Sequence, residues 1–340
     1  MPSQSKALPT KSFALEALFT PKWCAIYDPV SRDRWDASAL LDSGILDVLC
    51  ADMMTPEHAS KLAASGLVRC QPYSKDDAEN WISAGWAEAL RHYLHTNLLP
   101  KLDYGTARGW LEDFGTMREK LDSDALPPPT KRYADALCRL RLSADPVMQP
   151  LGAALSKTSP ANGRRRTGFH ELATLLIHVF GVSGHKSLAI TGRHVTKTSP
   201  SGGSRHPTEA YVVVFSVEGL EEGVYHFDAD SHELALLNAG DMQAEYLQNV
   251  LGLNRRLSFE PRVAIALTSV VERSMHRYRD SRSYRVLHFD LGHLLMSSQL
   301  VASSLGIPYL CAYSIADDAA EAMLGVDGLM ETAMTQVLLG

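Results

Sequence analysis

Thr198-Ser-Pro-Ser-Gly-Gly-Ser-Arg-His-Pro207 runs directly into Thr208-Glu-Ala-Tyr-Val-Val-Val-Phe-Ser-Val217, and this junction decides how the chain reads. Two adjacent glycines allow backbone conformations and close approaches that side chains forbid, and amides exposed there can donate to a ring or a phosphate. A plain turn would use the same residues. The β-branched run Ala210–Val217 reads as a central strand covered on both faces, and Val263-Ala-Ile-Ala-Leu-Thr-Ser-Val-Val271 reads the same way. Between them, Gly223-Val-Tyr-His-Phe-Asp228 and Glu233-Leu-Ala-Leu-Leu237 predict a hairpin. Arg285 to Leu305 is apolar nearly all round, which predicts a helix buried in the protein or at a subunit interface. Strands flanked by helices give an α+β layer architecture for residues 146–340. The sequence contains neither GxGxxG nor GxxxxGK[ST], so a Rossmann fingerprint and a P-loop are excluded.

Upstream lies Asn162-Gly-Arg-Arg-Arg-Thr-Gly-Phe169, followed by a helical pattern from Glu171 to Val179. Three guanidinium groups beside a hydroxyl can make several charge-assisted bonds to a phosphate, although an arginine run is often just a solvated face. The whole chain carries net charge -6, yet Lys157 to His206 holds eight Lys or Arg against the single acid Glu171. A small phosphate-bearing ligand fits that island better than nucleic acid, which the acidic remainder would repel.

The chain has 340 residues, 45% hydrophobic and 21% charged, which suits two globular domains and excludes disordered, collagenous and coiled-coil classes. No stretch has the length of a membrane helix, and residues 1–11 lack the apolar core of a signal peptide; a cytoplasmic protein is expected. Five scattered cysteines (Cys24, Cys50, Cys70, Cys138, Cys311) without a CxxC pair predict reduced thiols. Thirteen histidines without a tight cluster predict no metal site.

The first 80 residues read as a helix over Ala39–Leu49, a second helix capped by Thr55-Pro56, and an extended Leu67–Cys70, an order that resembles a winged helix. Its presumed recognition helix holds only Lys61 as a basic residue, so a peptide or a purely structural role is favoured over DNA. Residues 81–145 form a helical and Pro-rich connector. Trp81, Trp86, Leu90, Tyr93 and Leu98 are spaced to share one buried helix face, and the prolines 127–129 mark an extended boundary.

Taken in order, Arg164–Thr167, Ser199–Val214, Tyr225-His-Phe227, Arg277–Ile307 and Asp317–Gly328 resemble the SagB-type branch of the nitroreductase superfamily, within it the peptide maturation dehydrogenases. The resemblance covers residues 160–340. It implies a nitroreductase-like fold with a central mixed sheet flanked by helices, and a homodimer with FMN at the subunit interface. It maps the phosphate contact onto Arg164, Arg165, Arg166 and Thr167, the ring-lining loop onto Pro200, Ser201, Gly202, Gly203, Ser204 and Arg205, and a cover over the flavin onto Ala312, Tyr313 and Ser314.

Where azoline oxidases of this branch carry Lys-Tyr, this chain has Arg277-Tyr278. The resemblance makes Tyr278 the catalytic base, and an adjacent guanidinium would favour its phenolate. Asp290 and His293, three apart, read as a buried intrahelical pair. The activity implied is oxidation of azolines to azoles in a ribosomally made precursor peptide, with a cyclodehydratase as partner. An NAD(P)H-dependent reductase of small electrophiles and a non-catalytic peptide scaffold with a degenerate flavin site are the alternatives.

Overall fold

In the computed structural model, residues 165–340 are described apart from 253–256 and 279, as are 105–123, 126–146 and 151–156. Before residue 105 the described parts are four short strands and scattered positions from 80 to 96. The chain divides into two units, Met1–Asp103 and Tyr104–Gly340.

The first unit holds an antiparallel sheet of β1 (Glu16–Thr20), β2 (Trp23–Tyr27), β3 (Arg34–Asp36) and β4 (Arg69–Gln71), in that spatial order. β4 falls at the end of the extended stretch expected at 67–70. The two helices expected between residues 39 and 66, and Leu98, lie outside the described residues. The shared aromatic face is only partly formed: Leu90 is buried, but Trp86 is 60% exposed and meets Trp81 edge-on. Gly85, at φ +80°, interrupts the helical phase between them.

In the second unit the order is α1 (Ala107–Ser123), β5 (Cys138–Arg141), α2 (Leu151–Ser156), α3 (Phe169–Phe180), β6 (Val182–Leu188), β7 (Gly192–Lys197) and β8 (Thr208–Val214). There follow β9 (Gly223–Asp228), β10 (Glu233–Ala239), β11 (Val263–Val270), α4 (Tyr284–Leu305), β12 (Tyr309–Ala312), α5 (Asp317–Leu324) and β13 (Glu331–Leu339). Seven strands form one sheet in the order β12-β13-β11-β8-β9-β10-β5, while β6 and β7 pair as a separate ribbon.

Every ladder described in the large sheet is antiparallel, which corrects the expected mixed pairing. The reason lies in the connections. β8, β9 and β10 follow one another as a meander, and the crossover through α4 brings β12 parallel to β11 but one place away. β13 then runs antiparallel between them.

Alternation along β8 explains the two cores. Ala210, Val212 and Val214 join Ile265 and Leu267 on one face, under Leu172, Leu175 and Leu176 of α3 and Leu291 and Leu294 of α4. Tyr211, Val213 and Phe215 join Ala264, Ala266 and Leu338 on the other, under Tyr246, Val250 and Leu324. Both faces are covered, so β8 is buried along its whole length. Truncating one of these leucines to Ala should cost about 2–5 kcal/mol.

The 81–145 stretch is more than a connector in this fold. Its strand β5 pairs with β10 at the sheet edge, Leu236 opposite Cys138. Just before it, the Lys131 ammonium donates to the Tyr211 hydroxyl (2.8 Å) and Glu331 (2.5 Å), and Tyr133 meets the same tyrosine hydroxyl (2.8 Å). Burial beside Glu331 drives the Tyr211 phenol far up, so it stays protonated and donates to Glu331 (2.9 Å). Pro-rich backbone thereby threads a buried polar network in the sheet.

Candidate active site

The glycine loop sits where β8 begins and β11 ends, since Thr208 faces Ser269 in the ladder. Polar groups of α4 pin it. Ser201 Oγ donates to Asp290 Oδ2 (2.6 Å), the Gly202 amide donates to Asp290 Oδ1 (3.0 Å), and His293 Nδ1 lies 3.1 Å from the Pro200 carbonyl. Ser199 Oγ lies 2.7 Å from Ser297 Oγ. Asp290 and His293 therefore each hold the loop, which corrects their reading as an intrahelical pair. Burial pushes the Asp290 carboxyl up, with the Ser201 and Gly202 bonds opposing.

The glycines are demanded by the protein itself. A Cβ on Gly202 would strike Val286, and one on Gly203, at φ +59°, would strike the Tyr278 hydroxyl. Ser204 (φ 55°) and His206 (φ 45°) also hold left-handed conformations, which are strained for residues with a Cβ. Arg205 closes back on the loop, its Nε donating to the Gly203 carbonyl at 2.9 Å.

Tyr278 thus lies against the loop, as a catalytic role would require. Arg277, expected as the electrostatic partner of Tyr278, is itself paired with a carboxylate. Its Nη2 donates to both carboxylate oxygens of Asp113 on α1, at 3.0 and 2.8 Å, and both side chains are largely buried. The guanidinium carbon stands 4.9 Å from the Tyr278 ring centroid. Arg277 therefore braces the ring by stacking, and Asp113 offsets its charge.

Arg273, on the turn before Tyr278, is 4% exposed and ties three segments together. It donates to the Pro128 carbonyl (2.8 Å), the His206 carbonyl (3.1 Å) and Glu209 (2.6 Å). The Arg273 charge, with the His226 hydrogen bond, holds the Glu209 carboxyl down to about 2 against the opposing effect of burial. Burial, with Lys197 and other cations adding, pushes His206 down to about 3.

The arginine run lies at the other end of the sheet. Thr167 is fully buried, and its amide (2.7 Å) and hydroxyl (2.6 Å) both donate to the Gly340 carbonyl beyond the end of β13. The threonine is thus an anchor with its hydroxyl proton committed, not a free phosphate donor. That anchor leaves Arg165 and Arg166 exposed; Arg165 has Glu171 only at 3.9 Å. Both line a cleft of about 480 Å³ with Arg262, Ser216, Gln243 and the carboxylate-bearing Glu260. Arg164 lies outside the described residues.

Ala312 is buried, Tyr313 is 79% exposed, and the Ser314 carbonyl accepts from Gln336 (2.8 Å), partway along β13. β13 pairs Glu331 near the glycine loop and Leu339 near the arginines. Its nine residues separate the two ends by about 27 Å at about 3.4 Å per residue. Within one chain, the two parts of the expected site do not come together.

The nitroreductase family model matches residues 174–340, beginning just after the arginine run. Residues 174–340 form a nitroreductase-family domain. The trifolitoxin-processing protein TfxB of Rhizobium leguminosarum bv. trifolii is 32% identical over 234 residues, 66% of this chain and 62% of that protein. The Methanocaldococcus jannaschii protein MJ1384, which carries the nitroreductase name, is 30% identical over 144 residues, 40% of this chain and 64% of that protein. The chain thus spans less than two thirds of either relative. A crystal structure described as a nitroreductase, from Anabaena variabilis ATCC 29413, aligns with TM-score 0.49 and 24% identity, over 67% of this chain and 45% of that one.

Among the described residues of the nitroreductase domain and the rest of the chain, no helix is long and apolar enough to cross a membrane. Nor could any group of His, Cys, Asp and Glu there hold a metal. Sequence reasoning missed Asp113 and Arg273. The carboxylate–guanidinium chemistry was visible, but Asp113 and Arg277 lie 164 positions apart.

Proposed function

We propose that the chain is an FMN-dependent oxidoreductase that matures a ribosomally synthesised peptide, oxidising azoline rings to azoles, with each active site assembled from two copies. The processing role in the name of the Rhizobium relative supports a peptide substrate. The observation that carries the composite site is the separation of its halves: exposed Arg165 and Arg166 at one end of the sheet, the glycine loop with Tyr278 at the other.

The donor set at the arginine end fits the FMN phosphate. Arg165 and Arg166, with Arg262 beside them, offer charge-assisted and bidentate bonds in an open cleft, against Glu260 in its lining and Glu171 at 3.9 Å from Arg165. Tyr313, exposed between the two ends, is a candidate cover. A two-fold partner would bring its own Pro200–Ser204 and Arg205 to this cleft. The surface for that partner is the outer stripe of α4, where Phe289 is 63% and Met296 42% exposed with Gly292 between them.

FMN, when bound, supplies a two-electron acceptor for the hydride leaving one ring carbon. Tyr278 takes the proton from the adjacent carbon, Arg277 and Asp113 hold its ring in place, and Asp290 fixes the loop against which it rests. The first unit would recognise the peptide, a cyclodehydratase would supply the azoline, and the free thiols Cys138 and Cys311 suit a cytoplasmic setting.

The test begins with purified protein. Released FMN identified by mass, and anaerobic bleaching of the flavin by an azoline-containing peptide, are expected. A colourless protein that cannot be reconstituted with FMN would leave the scaffold reading in place. Bleaching by NAD(P)H alone, with none by the peptide, would favour a small-molecule reductase.

A further inference from the structure

The cationic island from Lys157 to His206 splits in the fold, and the phosphate cleft takes only one half of it. Arg165 and Arg166 line that cleft beside Gly340. Lys186 and Arg193 stand instead on the ribbon of β6 and β7, and Arg205 lies in the glycine loop that follows β7 directly. From Val182 to Pro207 the chain has no Asp or Glu. Asp230 approaches the ribbon at His185 (3.7 Å), but none of Lys186, Arg193 and Arg205 forms an ion pair with a described carboxylate.

Lys186 pairs with His194 across the ribbon, so the two side chains share a face. His194 is buried with its Nε2 2.7 Å from Thr191 Oγ1. Burial pushes this imidazole down, with the nearby Arg205 and Lys186 adding and hydrogen bonds to Ser204 and Thr191 opposing. Lys186 and Arg205 therefore flank one imidazole on the side of the ribbon that meets the glycine loop. Arg193 pairs with Ser187, one position on, and so points to the opposite face.

The backbone beside Lys186 is open as well. β7 takes one edge of β6. Outside the ribbon the Val182 amide donates to the Ala229 carbonyl (2.8 Å), and among the described residues no such backbone bond follows from Ser183 to Leu188. His185–Leu188 are exposed. A lysine on such an edge costs little in water but opposes a strand that would bury its ammonium unpaired, and it admits one that sets a carboxylate opposite.

We propose that an extended acidic flank of the substrate peptide adds to β6 as a third strand, with a carboxylate opposite Lys186 on the face shared with Arg205. The inference rests on the peptide-substrate reading above. Because β7 continues into the glycine loop, a peptide held on the ribbon is delivered beside Gly203 and Tyr278. The net charge of -6 gives an acidic peptide no general attraction to this protein, so its recognition has to be local.

Fluorescence anisotropy tests this on the full-length protein, with labelled peptides that carry one thiazoline beside a flank of alternating Glu, or of alternating Gln in the control. The Glu peptide should bind the wild type about fivefold more tightly, the scale of a good cross-strand ion pair. Lys186→Glu should abolish that preference while holding the Gln peptide within about twofold, and Arg193→Gln, on the opposite face, should keep the preference. Amide hydrogen exchange from Ser183 to Leu188 should slow on binding. Equal affinities for the two peptides in the wild type, a loss of preference in Arg193→Gln equal to that in Lys186→Glu, or unprotected β6 amides would overturn the proposal. None of these readouts uses the flavin. A colourless protein that shows the preference sinks the oxidoreductase reading alone, and a flavoprotein bleached by the thiazoline peptide without the preference sinks this proposal alone.

Discussion

The two ends of the large sheet are built in opposite ways. At the glycine-loop end nearly every polar group is already engaged: Asp290 holds Ser201 and Gly202, Asp113 holds Arg277, and Arg273 joins Glu209, His206 and Pro128. At the arginine end Thr167 is anchored to Gly340 and Arg262 donates to the Ser216 carbonyl, while the Arg165 and Arg166 side chains stand exposed, Arg165 with Glu171 only at 3.9 Å. One end is preorganised by its own contacts and the other displays more positive charge than its carboxylates, Glu260 and Glu171, offset. Substitutions should therefore act on different quantities: folding and geometry at the first, ligand affinity at the second.

The largest effect is expected where charge is displayed. Arg165→Ala/Arg166→Ala should weaken FMN binding by about 3–6 kcal/mol, two lost charge-assisted contacts of roughly 1.5–3 kcal/mol each, and leave Tm unchanged. Calorimetric titration with FMN reads the first and thermal melting the second; a lowered Tm with intact binding would reverse the contrast between the ends.

Asp113→Ala should show the converse. It removes the carboxylate that holds a largely buried guanidinium, and urea unfolding should report a loss of about 3 kcal/mol. Retained stability would mean that Arg277 finds solvent easily and that the loop end is looser than its contacts suggest.

Tyr278→Phe should keep the fold and FMN affinity while cutting turnover about a hundredfold, the scale of a lost general base. Equal rates of single-turnover flavin reduction in the variant and wild type would reduce the phenol to a packing group.

How much of this contrast was legible in the sequence depended on range. The hairpin, the strands expected at 210–217 and 263–271 and the long helix follow local periodicity and appear, the first strand running Thr208–Val214 and so ending before Phe215. Asp290 and His293 were visible but assigned to each other, because helical spacing says nothing of a loop some 90 positions upstream. The prolines 127–129 read as a boundary, yet Lys131 reaches Glu331 across 200 positions. Pairings of that kind arise from topology, and no window of sequence contains them. The insertion of β13 between β11 and β12 was hidden for the same reason.

The smallest effect is one of pH, again confined to the loop end. His206 has a folded-state value near 3, below its unfolded value near 6.5, so the unfolded chain binds the extra proton between them. Stability should fall as pH drops from 6.5 toward 3. Glu209, held near 2 against an ordinary 4.5, adds a loss as pH drops from about 4.5 toward 2. His206→Asn, which tolerates the left-handed backbone, should flatten the upper part of that decline. Melting curves at stepped pH that coincide for variant and wild type would remove His206 from the acid response.

Subunit complementation tests the composite site most directly. The Arg165→Ala/Arg166→Ala protein lacks one half of the site and Gly203→Val lacks the other, and neither should retain FMN alone. If each site takes one half from each copy, unfolding and refolding the two variants together yields mixed dimers with one intact site. FMN retention should then return to about a quarter of wild type for statistical mixing. No recovery, with mixed dimers demonstrated by mass, would contradict a site shared between two copies.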